Sequence, residues 1–305
     1  MRPFFAALLC LVSCQPEGSH PQASPLPQPG PPGTPSDHAA AVPDAPPAPS
    51  TPDAIPSEPQ AESRNAVVIV IDTLRADAIE RSSTPSLDAL SSQGARAAHA
   101  WASGTWTVPS VVSILTGASV PEHGWNEPSA RMGSYPVLPD LTRLPEVLQA
   151  AGFTTHGLYS NPYLAEELGF SRGFDGWKKT SDKMILKHFQ RIVANEWSQS
   201  GRHFAYLHIL GPHSPVDPSA EAQARRAMDP SMLDAKGQIG IGRAKRNREP
   251  GIREAYAEGY LGTVEDTDRL VGELLAALGE YRDDTLVVVT SDHGELLGEH
   301  NIVGH

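Results

Sequence analysis

The sequence predicts an α/β fold, a layered sandwich with a mostly parallel central sheet and helices on both faces. Three observations predict it. Two continuous β-branched runs, residues 66–71 (AVVIVI) and 285–290 (TLVVVT), have the composition of strands buried on both faces, as strands of parallel sheets are. Stretches with apolar residues at helical spacing separate the strand-like runs. Strands that alternate with helices need crossover connections, and these cover a sheet with helices.

The elements follow in chain order. Met1-Arg2, an apolar run over 4–12 and then Ser13-Cys14 describe an export signal: a basic start, about 7–15 apolar residues and small residues before a cut. The run is far shorter than the ~20 apolar residues that span a bilayer. Leu11-Val12-Ser13-Cys14 also resembles a bacterial lipobox, so residues 1–14 are expected to be a lipoprotein signal with Cys14 as the lipidated first residue. Residues 15–60 are rich in Pro, Ala, Ser and Gly without apolar periodicity; they cannot bury a core and are expected to form a disordered tether. The domain is expected over 61–305, with its first strand opening at Asn65.

Residues 145–151 start with a proline in a first turn and stop at Gly152, which predicts a helix. Residues 153–158 and 204–207 are weaker strand candidates. Residues 217–253 are polar, locally basic and aperiodic, and read as a surface loop or insertion. Residues 260–278 predict a long helix that stops at Gly279, just before the last strand.

Composition narrows the function. With 24 Lys+Arg against 36 Asp+Glu the formal charge is -12, which argues against a nucleic-acid partner, because phosphate contacts need clustered cations. The 2 cysteines lie within the first 14 residues, so the domain has no thiol nucleophile, disulfide or cysteine-ligated zinc.

Ligands of open parallel sheets bind beyond the carboxyl ends of the strands. There the first strand delivers Asp72, with Arg75 close behind, and the last delivers Asp292-His293. The strand at 204–207 ends in His208, and Pro212-His213 follow. Carboxylates and imidazoles gathered at one edge suit one divalent ion: Mg²⁺, Ca²⁺, Mn²⁺ or Zn²⁺. A third feature is the helix predicted with Thr107 as its N-cap, Pro109 in its first turn and Gly117 as its stop. A hydroxyl at a helix N-terminus faces free N–H groups, which favour an anion such as sulfate or phosphate.

These segments resemble the sulfatase-like enzymes of the alkaline phosphatase superfamily. The stretch 65–77 resembles their opening metal-binding strand, and Thr84-Pro85-Ser86-Leu87-Asp88-Ala89-Leu90 the segment that follows. Thr107-Val108-Pro109-Ser110 with Leu115-Thr116-Gly117 resembles their nucleophile motif, 208–215 their HxxDPHxP stretch, and 290–295 their second metal motif. The motifs keep the family's order from about 65 to 305. The resemblance implies Asp72, Thr107, Asp292 and His293 as metal ligands, Thr107 as nucleophile, and His213 as a contact to the substrate or leaving group, with His208 near it. It also implies His305 as a contact to the transferred group and, more weakly, Arg75 as a contact to the substrate or as a support behind the site. Relatives continue beyond the position of His305, so the domain is expected to lack its C-terminal part and to leave an open edge on its last strand.

The departures from the family pattern narrow the chemistry. Sulfatases place a Cys or Ser, later converted to formylglycine, in C/S-x-P-x-R; here Thr107 and Val111 hold the first and last positions. A plain threonine sulfate lacks the elimination route that formylglycine provides, whereas a threonine phosphoester can be attacked again at phosphorus. Loss of the arginine disfavours a dianion, so a phosphodiester or a sulfate ester is expected. The D-x-x-x-H motif of two-metal relatives is broken by Ile209, which supports one metal. The expected function is thus metal-dependent hydrolysis of a small-molecule or glycan sulfate or phosphate ester by a protein lipid-anchored to the cell envelope, in the periplasm or at the outer membrane. The alternatives are a phosphoryl transferase acting on envelope glycans and a catalytically inactive binding lipoprotein.

Overall fold

A computed structural model describes residues 7–12, 64–126, 140–199 and 201–305. Cys14 and the proline-rich stretch lie outside the described residues. The strands are β1 (Ala7–Val12), β2 (Asn65–Ile71), β3 (Ala95–Ala100), β4 (Phe153–Tyr159), β5 (Gly176–Lys179), β6 (Arg202–Ile209), β7 (Thr285–Ser291), β8 (Leu296–Leu297) and β9 (Val303–Gly304). The helices are α1 (Ala76–Glu80), α2 (Pro85–Gln93), α3 (Thr107–Thr116), α4 (Val120–His123), α5 (Leu144–Ala150), α6 (Asp182–Ile192), α7 (Ala220–Arg225), α8 (Ile241–Arg246) and α9 (Ile252–Ala277).

The first seven strands form one sheet, ordered β3-β1-β7-β2-β6-β4-β5, in which every pairing is parallel. The predicted α/β sandwich is therefore what the chain forms. Alternation along β2 explains why its run is apolar throughout. Val67, Ile69 and Ile71 enter a core with α2, α6 and α9, whereas Val70 enters a second core with Val108, Val111, Val112 and Leu115 of α3. In β6, Ala205, Leu207 and Ile209 face the first core, while Phe204 and Tyr206 face the second. His208 and the residue after Ile71, Asp72, continue the phase that points toward α3.

Three sequence expectations change in detail. The segment 217–253 is not a bare loop: it contains α7 and α8, and α9 begins at Ile252, eight residues ahead of the predicted start. Its apolar anchors are too sparse to show periodicity, yet Ala222, Ile239 and Ala244 are fully buried. Strand β7 has no open edge, because β1 lies between it and β3 in parallel register with both. Thr107 is the first residue of α3 and not its cap; Trp106, with extended backbone, precedes it.

A tyrosine clamp fixes the turn after β2. The Tyr260 hydroxyl donates to the Thr73 carbonyl at 2.7 Å and accepts from the Arg75 N–H at 2.9 Å. Thr73 is held at φ 59°, a region that β-branched residues avoid. Tyr260→Phe leaves a buried N–H and C=O unpaired, so urea denaturation should show a loss of about 1–3 kcal/mol. A loss below about 0.5 kcal/mol would show that the turn holds its shape without the clamp.

Candidate metal centre and active site

Five elements bring polar side chains to one edge of the sheet. Asp72 extends the β2 ladder by one residue, its N–H donating to the Ile209 carbonyl at 2.9 Å. Asp292 follows β7, and its Oδ1 accepts from the N–H groups of Thr73 (3.2 Å) and His293 (2.9 Å). The strained Thr73 turn thus aims one carboxylate and anchors the other. Both carboxylates are buried, as are His208 and His293.

Thr107 opens α3 at the same edge. Its Oγ1 lies 3.4 Å from Asp72 Oδ2 and 3.4 Å from His293 Nε2, and Asn161 Nδ2 donates to it at 3.1 Å. Asn161 also donates to Asp72 Oδ2 at 2.7 Å. Asn161 is a site residue that sequence reasoning missed. Its signal was position alone, two residues beyond β4 at the catalytic edge.

The histidine tautomers follow from their partners. A backbone carbonyl only accepts, so His293 Nδ1 donates to Gly294 O (2.9 Å) and the neutral ring turns a lone pair at Nε2 toward Thr107. His208 Nε2 faces Asp72 Oδ2 at 3.2 Å, and its Nδ1 meets the Tyr206 hydroxyl at 3.0 Å. His208, expected near His213, lies between the two carboxylates, with Asp292 Oδ2 at 4.0 Å.

The electrostatics are those of a site that wants a cation. Burial would raise the Asp72 pKa, but its hydrogen bond to His208 and the charges of His208, His293 and His213 outweigh it and hold the pKa low. Asp292 is pushed up by burial and by the charge of Asp72. Burial also holds His293 below the usual histidine range.

The residues present fit a divalent metal ion. Asp72 Oδ1 and Asp292 Oδ2 are buried with no hydrogen-bond partner, which is costly unless something positive lies between them. Among the described residues, Asp72, His208 and Asp292 offer ligand atoms within 4.8 Å of one another. His293 Nε2 lies 3.6 Å from Asp72 Oδ1 and 3.6 Å from Asp292 Oδ2. The four ligands expected from the sequence thus stand together, and the geometry adds His208 to them.

An outer ring of groups completes the site. The His305 ring lies 4.4 Å from that of His293 and 5.4 Å from that of His213. Burial would lower the His305 pKa, but the hydrogen bond and charge of buried Glu295, at 3.4 Å, raise it and favour the imidazolium. His213 Nδ1 donates to Ser214 O at 2.7 Å. Arg75, expected to touch substrate or to support the site from behind, is buried and fully engaged. Its guanidinium binds Asp77, the Glu295 carbonyl (2.8 Å) and Glu299 (2.7 Å), so it pins the β8–β9 hairpin that carries Glu295 and His305.

Comparison with known proteins places this arrangement. A family model for sulfatases matches residues 64–305. A structure solved with its substrate D-glucosamine-2-N,6-O-disulfate superposes with a TM-score of 0.61 at 18% identity, over 78% of this chain and 67% of that one. The phosphonate monoester hydrolase of Agrobacterium radiobacter gives 0.58 at 18% identity, over 79% and 64%. The C-terminal periplasmic domain of a phosphoethanolamine transferase from Campylobacter jejuni gives 0.55 at 18% identity, over 80% and 73%. A multifunctional alkaline phosphatase superfamily protein of Trinickia caryophylli is 45% identical over 58 residues, 18% of this chain and only 11% of that protein. The family match covers nearly all of the described domain and takes in each of the clustered side chains: the chain belongs to the sulfatase family.

Proposed function

We propose that this protein is a metal-dependent hydrolase of phosphoric or sulfuric esters that works through a covalent intermediate on Thr107. The observation that carries the reading is the pair of orphaned, buried carboxylate oxygens beside a hydroxyl at the start of a ten-residue helix. Asp72, Asp292 and His293, with Thr107 and His208 beside them, would hold the ion. Such an ion would lower the pKa of the threonine hydroxyl and neutralise an anionic ester oxygen.

The remaining steps fall to the chain's own residues. Thr107 Oγ1 attacks phosphorus, and its proton passes to Asp72 Oδ2, since Asp72 would hold the ion through Oδ1 and His293 through Nε2. The free N–H groups of the first turn of α3 face the anion, and the His305 imidazolium favoured by Glu295 adds positive charge. The ester oxygen leaves as an alcohol with a proton from His213. Water then attacks the threonine phosphoester, which returns the Thr107 hydroxyl and releases the acid. Val111, at the family's arginine position, is fully buried among apolar side chains and brings no charge, which favours a monoanionic diester over a dianion. Metal-stripped protein should turn over an aryl phosphodiester only after a divalent ion is added, and faster than an aryl sulfate. Equal turnover without metal would overturn the reading.

We further propose that the chain is exported and anchored through Cys14. The support is the lipobox-like quartet at residues 11–14. Among the described residues no helix is long and apolar enough to cross a membrane. Cleavage before Cys14 would take β1 with it and leave β3 and β7 without their shared neighbour, but each site residue lies on other elements. Cys14→Ala should move the protein from the membrane fraction to the soluble one. A soluble wild-type protein with an unmodified N-terminus would refute the anchor.

A further inference from the structure

Helix α8 joins the two loops that carry the outer histidines. At one end, the Ile241 N–H donates to Ser214 Oγ at 3.0 Å, next to His213. Along its length, α8 packs on β9, whose Gly304 precedes His305. Gly304 has φ +101°, and a Cβ there would lie 2.5 Å from Ile241 Cδ1 and 3.0 Å from Lys245 Nζ. The Lys245 ammonium therefore rests against the backbone of the residue that precedes His305. The His305 ring is 4.4 Å from His293, whose Nε2 faces the Thr107 hydroxyl.

The charge of α8 is one-sided. Residues 241–248 hold Arg243, Lys245, Arg246 and Arg248 and no acid, in a chain of net charge -12. Arg243 is bound by Glu249. Lys245, Arg246 and Arg248 are exposed and make no ion pair among the described residues. A cation kept without a counter-ion beside a reaction centre attracts a second negative charge on whatever binds there.

Building on the proposed function, we propose that Lys245 is a specificity residue that reads a second anionic group, so that the substrate is a multiply charged ester such as a glycan bearing two sulfates or two phosphates. The reacting ester faces Thr107 and its leaving side faces His213. A second sulfate or phosphate on the same sugar then falls at the rim formed by Gly304 and α8, where Lys245 forms a charge-assisted contact with it. The lysine touches neither the nucleophile nor the ester undergoing reaction, so its effect belongs in selectivity.

Binding to full-length Thr107→Ala protein with added metal tests this apart from turnover. One arm compares glucosamine N,6-disulfate with glucosamine 6-sulfate, and the other compares the methyl phosphodiester of glucose 6-phosphate with and without a 1-phosphate. One arm should show preference for the doubly charged ligand and so identify sulfate or phosphate. Adding Lys245→Ala should cut that preference roughly three- to tenfold, the range of a charge-assisted contact at a wet rim, and Lys245→Arg should restore it. No preference in either arm, or equal weakening of both ligands of a pair by Lys245→Ala, overturns the proposal. The proposed function fails separately, if wild-type protein with metal turns over no aryl ester.

Discussion

Thr107→Ala is expected to lower turnover of an aryl phosphodiester by several orders of magnitude, while metal still binds through Asp72, Asp292 and His293 and stability changes little. Removing a lone acid–base group costs ~10²–10⁴-fold, and losing the attacking atom of a covalent mechanism costs more. The hydroxyl interacts with Asp72, His293 and Asn161, yet none of these loses its main partner without it. Asn161 keeps its 2.7 Å bond to Asp72, and His293 keeps Gly294. The stability loss should therefore stay near ~1 kcal/mol, and unfolding cannot mimic the loss of turnover. Thr107→Ser keeps the hydroxyl at the start of α3 and should retain activity. Steady-state kinetics of the two variants beside denaturation curves check this; full activity in Thr107→Ala would remove the covalent step.

Asp292→Asn is expected to weaken metal binding by at least about 100-fold, since even groups that only orient a ligand cost 10–100-fold when lost. Activity should fall with it. The metal-free protein should become slightly more stable, because the change removes one of two buried carboxylates whose mutual repulsion raises the Asp292 pKa. The amide oxygen of the replacement side chain can still accept from the N–H groups of Thr73 and His293, so the turn after β2 stays anchored. Calorimetric titration of metal-stripped protein with Mg²⁺, Ca²⁺, Mn²⁺ and Zn²⁺, with urea denaturation of the same samples, reads both quantities. Unchanged affinity for all four ions would place the metal elsewhere or nowhere.

Much of the fold was legible because a parallel sheet writes its central strands as apolar runs. β2 and β7 stand out for that reason, and the residues just past their ends were readable as site candidates. β3 (ARAAHA) and β5 (GWKK) left no such mark: they flank the sheet and their side chains are largely exposed or half-buried. The first turns of α9 hide behind Arg253, Glu254 and Glu258, although Ile252 and Tyr256 are fully buried.

The site was legible in its clustered side chains and less so in its supports. Asp72, Thr107, Asp292 and His293 meet as their positions at strand ends and a helix start implied. Asn161 was illegible because an asparagine after a strand is ordinary, and only the register of β4 against β6 brings it to Asp72. Arg75 was readable as a contact to substrate or as a support, and its hydrogen bonds are those of a support. Its saturation by Asp77, Glu295 and Glu299 depends on a hairpin more than 200 residues away in sequence. Tyr206 and Tyr260 read only as apolar positions, yet their hydroxyls orient His208 and close the Thr73 turn.

The stereochemical course at phosphorus bears most directly on the covalent role of Thr107. The metal-loaded protein would be given, in ¹⁸O-labelled water, an aryl phosphorothioate diester of known configuration, and the isotopically chiral phosphorothioate product analysed for its handedness. Attack by Thr107 followed by attack by water makes two displacements, so net retention is expected. Net inversion would mean that water attacks the ester in one step, and would contradict the role given to Thr107.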